Sequence, residues 1–311
     1  MSFKMMDDSN REALIELTGG AVRFDRPMAP LTTLGVGGNA EVFYEAFSLD
    51  ELRKVLDYAR RARLPCMTIG KGSNILVSDK GIAGLVIRLG GQLARISLTE
   101  ETAGPLLCGA GASIGELTRF CGEKGLCGLE FLAGIPGSIG GAVFMNAGAF
   151  GSEICEAVSS VTVITPRGEI RDLEKKDLSF SYRRLELEKN TVIVEAVFLV
   201  SREKSEDVRD RIAGFLKKRK NTQPMDFPSA GSVFKNPGTD YAGRLIEQVG
   251  LKGARKGGAM ISSRHANWIV NTGGARAEDI LWLIDLARRR VSEIKGIELE
   301  LELCLAGEGL P

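Results

Sequence analysis

The segment 109–151, GAGASIGELTRFCGEKGLCGLEFLAGIPGSIGGAVFMNAGAFG, sets twelve glycines in 43 residues among Leu, Ile, Phe, Val and Met. It has neither the repeat of a fibre nor the polarity of a linker, so this is glycine inside a packed domain. Glycine there marks turns at positive φ, or backbone that must lie close to something else. A succession of such positions reads as a wall around a flat or phosphorylated ligand. Leu106-Leu107-Cys108 is a strand entering the glycines, and 113–124 is a helix that turns Ile114, Leu117 and Phe120 inward.

Two further glycine loops lie upstream, at Gly35-Val36-Gly37-Gly38 and Gly70-Lys71-Gly72-Ser73-Asn74. The second follows the β-like run 67–69 and leads into Ile75-Leu76-Val77, with another strand through 85–87. A helix over 48–63 precedes it, with Ser48 and Glu51 spaced as a capping box and Leu52, Val55, Leu56 and Ala59 on one face. Successive N–H groups in glycine turns can converge on an anion. The Rossmann and P-loop patterns are both unmet: Gly109-Ala110-Gly111 is followed by glycine at 115 instead of 114, and no GxxxxGK[ST] occurs. Each loop alone is either a structural turn or part of a site. The recurrence after apolar runs favours a long phosphorylated cofactor.

Downstream, 161–164 and 192–200 are strands, and a turn at 166–168 makes an antiparallel hairpin. A helix over 205–220 ends at a proline-marked boundary near 224–228. Beyond it come a helix at 241–249, a β run at 268–270, a long helix over 277–294 and a last strand near 297–305.

The chain has 311 residues, 41 basic and 40 acidic side chains and a formal charge of +1, which gives no reason to expect nucleic acid. No apolar stretch reaches the roughly 18 residues of a membrane helix. The acidic, weakly apolar N-terminus does not read as a signal peptide, so the cytoplasm is the expected location. The six cysteines include no CxxC pair and read as reduced thiols, with no metal site expected. His265 is the chain's one histidine, so proton transfer must lean on Ser, Glu, Lys, Arg or Tyr.

Candidate chemistry sits in four later segments. Ser232, in Ser229-Ala230-Gly231-Ser232-Val233-Phe234-Lys235-Asn236-Pro237, is either a turn serine or a proton donor, with Lys235 and Asn236 gripping a phosphate or carboxylate. Tyr182-Arg183-Arg184 offers planar guanidinium forks for a carboxylate whose charge develops during reaction. Glu298, Glu300 and Glu302 alternate with leucines, so one strand face carries all three, and Glu302 could return to a cleft. His265 in Ser263-Arg264-His265-Ala266-Asn267 is a structural histidine or a ligand contact.

Together these segments resemble the UDP-N-acetylenolpyruvoylglucosamine reductases, over nearly the whole chain. The blocks that carry the resemblance are TTLGVGG at 32–38, GKGSNILV at 70–77, GLEFLAGIPGSIGGAVFMNAGAFG at 128–151, AGSVFKNP at 230–237 and SSRHANWIVN at 262–271. The spacing from Asn146 to Ser232 is similar to the family's shorter subtype. The resemblance implies an α+β fold: two α+β subdomains of the vanillyl-alcohol-oxidase (PCMH) flavin-binding type, 1–94 and 95–222, and a third α+β substrate domain, 223–295. The strand in 296–311 would return to the first subdomain.

It also implies noncovalent FAD, NADPH as reductant, and conversion of UDP-N-acetylglucosamine enolpyruvate to UDP-N-acetylmuramate in peptidoglycan precursor synthesis. Hydride would go to C3 and a proton to C2. The family's motifs put Arg183 and Glu302 in stabilising or orienting roles and Ser232 as the proton donor. The flavin wall would comprise Gly70, Lys71, Gly72, Ser73, Asn74, Ile75, Gly109, Ala110, Gly134, Ile135, Pro136, Gly137, Ser138, Gly140, Gly141, Asn146, Ala147 and Gly148. Tyr182, Lys235, Asn236, His265 and Asn267 would contact the nucleotide-sugar substrate. No nucleic acid, membrane or metal is implied, and the expected state is a monomer, with a weak homodimer as the other option.

The chain departs from the family at Leu185, where a serine is usual, and at Leu303-Cys304, where a small apolar residue and arginine are usual. A competing reading is an alcohol or sugar oxidase of the same flavin fold. Such enzymes more often tether flavin through histidine or cysteine, whereas His265 lies far from the glycine loops. A noncatalytic binding protein would be expected to lack Arg183, Ser232 or Glu302, and all three are present.

Overall fold

The apolar residues of 158–164 are spaced so that Val158, Val161, Val163 and Ile164 are all buried. Their strand, Val158–Ile164, is an inner member of an antiparallel five-stranded sheet. It lies between Ile170–Glu174 and Val192–Phe198, with Leu106–Gly109 and then Ile96–Leu98 beyond. Thr165 and Glu169 close the hairpin expected at 166–168. The structure is a computed structural model that describes residues 6–99, 104–238 and 240–310. The first five residues, on which the N-terminal reading partly rests, lie outside the described residues.

Helices and strands mix in an α+β fold that divides into two compact units. One comprises Met1–Phe24, Val42–Lys71 and Gly84–Lys218, the other Asp25–Glu41, Gly72–Ala83 and Arg219–Pro311. In the first, helix Leu49–Ala62 buries Leu52, Val55 and Ala59 and feeds Cys66–Ile69, which pairs in parallel with Ile82–Leu89. Ser48 caps that helix, but the reciprocal half of the expected box is absent. The Glu51 carboxylate turns instead to the Phe47 N–H and the Tyr44 hydroxyl. The helix Ile114–Lys124 does have a full box, between Ser113 and Glu116.

The second unit packs the helices Ala242–Gln248 and Ala277–Lys295 with the antiparallel strands Arg255–Lys256, Ala259–Ile261 and Ile269–Asn271. Asp79 caps the long helix from a distant part of the sequence, accepting the N–H groups of Ala277 and Glu278 at 3.0 and 3.1 Å. The expected strand over 297–305 is shorter than its pattern. Leu299 and Leu303 are buried, as the alternation requires, but the ladder forms only at Cys304–Ala306, parallel to Ile75–Val77. Residues 300–303 instead bond irregularly to 233–235, through one bridge at Leu301 and Phe234.

Candidate active site

The first unit encloses a cavity of about 1020 Å³, within the size range of cofactor sites. Three separate glycine segments meet at its wall. Ile139 and Gly140 donate to the carbonyls of Ala112 and Ala110 at 2.8 Å, and Ile114 donates to Gly137 at 3.0 Å. The third segment arrives at Gly70, where a Cβ would run into Ser138 Oγ. Gly70, Lys71, Ala110, Ser138, Gly140 and Gly141 all line this cavity.

Ile139–Phe144 is a helix that glycine content hid, and Ser138 caps it. Ile139, Ala142 and Val143 are buried, while Gly141 and Phe144 are exposed towards the cavity. An exposed phenylalanine beside exposed glycine backbone is a surface a planar ring can cover. Basic side chains outnumber acidic ones in the lining, and Leu185, Leu187, Val192 and Ile193 add an apolar part. Glycine backbone, cations and an apolar patch together fit a dinucleotide with an aromatic ring system and a diphosphate.

Gly109 ends its strand, and Gly134, Ile135, Pro136 and Gly137 lead into the Ser138 cap without lining the cavity. Asn146 is 1% exposed, and its amide is committed within the protein. It donates to Glu153 and to Ser181 O, and it accepts from the Cys155 N–H. Ala147 and Gly148 follow, and Gly148 pairs with Glu153.

Arg183 occupies a two-residue turn between Ser179–Ser181 and Arg184–Glu186 at φ +61°. Glycine or asparagine would suit that position, and any other residue costs about 1–2 kcal/mol there. Its guanidinium lies 4.8 Å from the Tyr182 ring and reaches Glu153 and Gly148 O, each at 3.4 Å. Tyr182 itself is 43% exposed. Leu185, at the position where the family has serine, is buried opposite Phe180 and belongs to the core.

The second unit brings the segments that carry Ser232 and Glu302 together. Val233 O accepts the N–H groups of Glu302 and Leu303 at 2.9 and 3.2 Å, and Lys235 N donates to Glu300 O at 2.8 Å. Asn267, 3% exposed, clamps the same segment. Its Nδ2 donates to Phe234 O at 2.8 Å and its Oδ1 accepts Phe234 N–H at 3.0 Å. With both amide atoms engaged, Asn267 serves the Ser232 segment more directly than a ligand.

The 72–75 loop lies in this unit too. Asn74 Nδ2 donates to Glu302 O at 2.9 Å, and Asn74 O accepts Cys304 N–H, so the glycine loop holds the segment that bears Glu302. Thr33 N donates to Gly72 O, Ser73 is half-buried, and Ile75 pairs with Cys304. Leu303 is buried, and burial, then Glu302, pushes the Cys304 thiol up.

Of the expected substrate contacts, Lys235 pairs with Glu300, and Asn236 Oδ1 accepts the N–H of Ala242 at the start of its helix. His265 Nδ1 accepts the Asn267 N–H at 3.3 Å, leaving the neutral ring's proton on Nε2. Burial, then Lys252, holds its pKa below the usual 6.5.

A family model described as "UDP-N-acetylenolpyruvoylglucosamine reductase, C-terminal domain" matches residues 223–306, and one described as "FAD binding domain" matches residues 40–174. The UDP-N-acetylenolpyruvoylglucosamine reductase of Syntrophus aciditrophicus (strain SB) is 42% identical over 300 residues, covering 96% of this chain and 96% of its own. The chain belongs to the UDP-N-acetylenolpyruvoylglucosamine reductase family. The family's enzyme from Bacillus subtilis (strain 168) is 40% identical over 298 residues, covering 95% of this chain and 97% of its own. The crystal structure of the family's enzyme from Thermus caldophilus aligns with a TM-score of 0.78 at 37% identity, covering 92% of this chain and 98% of that one. The resemblance carried by the five sequence blocks is borne out, and with it the FAD-binding α+β fold. Among the described residues no helix is long and apolar enough to cross a membrane.

Glu153 and Phe144 were missed in the sequence. Glu153 falls two residues past the glycine segment, and only its contact with a residue 30 positions on draws attention to it.

Proposed function

We infer that this chain is a FAD-dependent reductase that converts UDP-N-acetylglucosamine enolpyruvate to UDP-N-acetylmuramate in peptidoglycan precursor synthesis, with NADPH as the reductant. Bound FAD supplies the two-electron relay between NADPH and C3 of the enolpyruvyl group. Lys71, Ala110, Ser138, Gly140 and Gly141 would hold it along the glycine-walled cavity, which is the observation that carries this half of the reading. Residues 1–94 and 95–222 are taken as flavin-binding subdomains and 223–295 as the substrate domain, with 296–311 returning to pair with Ile75–Val77. The same reading places a monomeric enzyme in the cytoplasm.

Hydride arriving at C3 leaves electron density at C2, next to the substrate carboxylate. Arg183 is the cation assigned to that carboxylate, and its planar fork suits two oxygens at once. Ser232 delivers a proton to C2, and solvent later restores the hydroxyl proton. A serine hydroxyl is a weak acid, so the step requires a strongly basic carbon and a neighbour that orients the hydroxyl. Glu302 is that neighbour, and the bonds from its own N–H and that of Leu303 to Val233 O support the assignment. Tyr182, Lys235, Asn236 and His265 are assigned to the substrate, and Asn267 to holding the segment that carries Ser232.

Ser232→Ala tests the assignment through the separate half-reactions. NADPH should still bleach the flavin at the wild-type rate, while reoxidation by the enolpyruvyl substrate should slow by about 10²–10⁴-fold, the range for loss of a general acid. Equal slowing of both halves would remove Ser232 from the proton step.

A further inference from the structure

The carboxylate of Glu153 stands where two segments cross. Its Oε2 accepts from Asn146 Nδ2 at 2.8 Å, and its Oε1 accepts from Arg183 Nη1 at 3.4 Å. The Arg183 and Glu153 side chains are 18% and 32% exposed, so the pair is largely withdrawn from water. Arg183 Nη2 donates to Gly148 O, and Gly148 is the antiparallel partner of Glu153 in a short β turn. One turn, 148–153, therefore presents both a carboxylate and a carbonyl to the same guanidinium.

Gly148 leaves room for this contact. A Cβ at that position would stand 2.7 Å from Ser152 O of its own turn, 3.0 Å from Glu153 Cγ and 3.1 Å from Arg183 Nη1, closer than side chains normally approach. Asn146 completes the frame by donating to Ser181 O, two residues before Arg183 in its hairpin. The tail of the glycine segment thus fixes both the hairpin that carries Arg183 and the head group of Arg183.

We propose that Glu153 is a positioning residue for Arg183 in the reductase reaction. The inference rests on the reading of Arg183 as the cation that meets the substrate carboxylate. A free arginine side chain samples many rotamers, and each substrate encounter would have to reorder it. A guanidinium already gripped by Glu153 and Gly148 O, against Tyr182, is held in one place. Misplacement of a reacting group by about 1 Å costs on the order of 10²-fold in rate, so loss of the carboxylate should register in the chemistry.

The test uses the FAD-loaded enzyme and separates its two half-reactions anaerobically. Glu153→Gln keeps the side chain's size and an acceptor for Asn146 but removes the charge that holds Arg183. It should retain full flavin content and the wild-type rate of flavin reduction by NADPH, and reoxidation by UDP-N-acetylglucosamine enolpyruvate should slow by about 10- to 100-fold. Arg183→Lys should slow the same half-reaction, and the double variant should be no slower than R183K, because the two residues act as one unit. Multiplicative losses in the double variant would overturn the inference, as would a wild-type reoxidation rate in E153Q beside an impaired R183K. An R183K enzyme with full activity would instead remove the Arg183 reading, and this inference with it. Should E153Q purify without flavin, Glu153→Asp takes its place. It keeps the charge on a shorter arm and should slow reoxidation alone, and wild-type kinetics in E153D would overturn the proposal.

Discussion

Gly140 and Gly141 are adjacent in one short helix, and alanine should do opposite things at the two positions. A Cβ on Gly140 would lie 2.8 Å from Ala110 Cβ and 3.3 Å from Ala110 O, in the seam where the two glycine segments bond to each other. That overlap forces the segments apart, and overpacking of this kind costs about 1–3 kcal/mol. A Cβ on Gly141 would meet only Ser138 Oγ, at the ordinary contact distance of 3.4 Å. There alanine gains about 1 kcal/mol of helix propensity and strains nothing in the FAD-free protein. Yet Gly141 is exposed on the cavity wall, so its new methyl group would occupy space in the proposed cofactor site.

Gly141→Ala should therefore melt at or above the wild-type temperature without FAD, and bind FAD more weakly by about 1–3 kcal/mol, or roughly 5- to 150-fold in Kd. Gly140→Ala should lose stability with or without FAD. Thermal melts of the FAD-free proteins and fluorescence titrations with FAD separate the two effects. If G141A bound FAD as tightly as wild type, the exposed face of this helix would not be a cofactor surface, and the cavity would belong to something else.

Removing the distant cap with Asp79→Ala should cost about 1–2 kcal/mol, read as a lower urea midpoint at unchanged slope, with Asp79→Asn losing less because an amide oxygen can still accept. For His265, burial disfavours the imidazolium in the folded state, so its folded pKa lies below the unfolded value of about 6.5. Its contribution to stability is therefore fully present above pH ~6.5 and is lost as the pH falls from there through the folded pKa. His265→Gln should flatten that part of the stability profile. As the chain's one histidine, its ring-proton NMR signal can be followed without assignment and should titrate below 6.5.

Much of this was legible in the sequence because the informative residues are those whose chemistry has few substitutes. The three glycine blocks, the Ser232 segment and SSRHANWIVN at 262–271 identified the family. What failed was local. Two glycines at 140 and 141 each weaken a helix by about 1 kcal/mol, yet burial of Ile139, Ala142 and Val143 and the Ser138 cap form one there. The alternation over 297–305 correctly buries Leu299 and Leu303, but alternation sets a face, not a ladder, and Ile75–Val77 is only three residues long. Glu51 has the right spacing for a capping box, but with the Phe47 N–H and the Tyr44 hydroxyl both within reach it goes to them instead.

Two parts of the glycine segment do different work, and the difference follows from what each glycine faces. Gly140 allows backbone to lie directly on the 110–112 segment, so that wall is fixed by hydrogen bonds and steric exclusion and needs no ligand to form. Towards its end, Gly148 makes room for a charged side chain, and Asn146 and Glu153 hold the hairpin and guanidinium that follow in sequence. The proposed cofactor wall and the cation proposed to meet substrate are thus tied to one continuous stretch of backbone. A substitution such as Gly148→Ala, at a position that does not line the cavity, should leave FAD binding intact while forcing the 148–153 turn open and displacing Arg183. Its deficit should then appear in reoxidation by substrate and not in reduction by NADPH, matching the pattern expected of E153Q. Loss of FAD from that variant would mean that the segment moves as one body and that its two tasks are not separable.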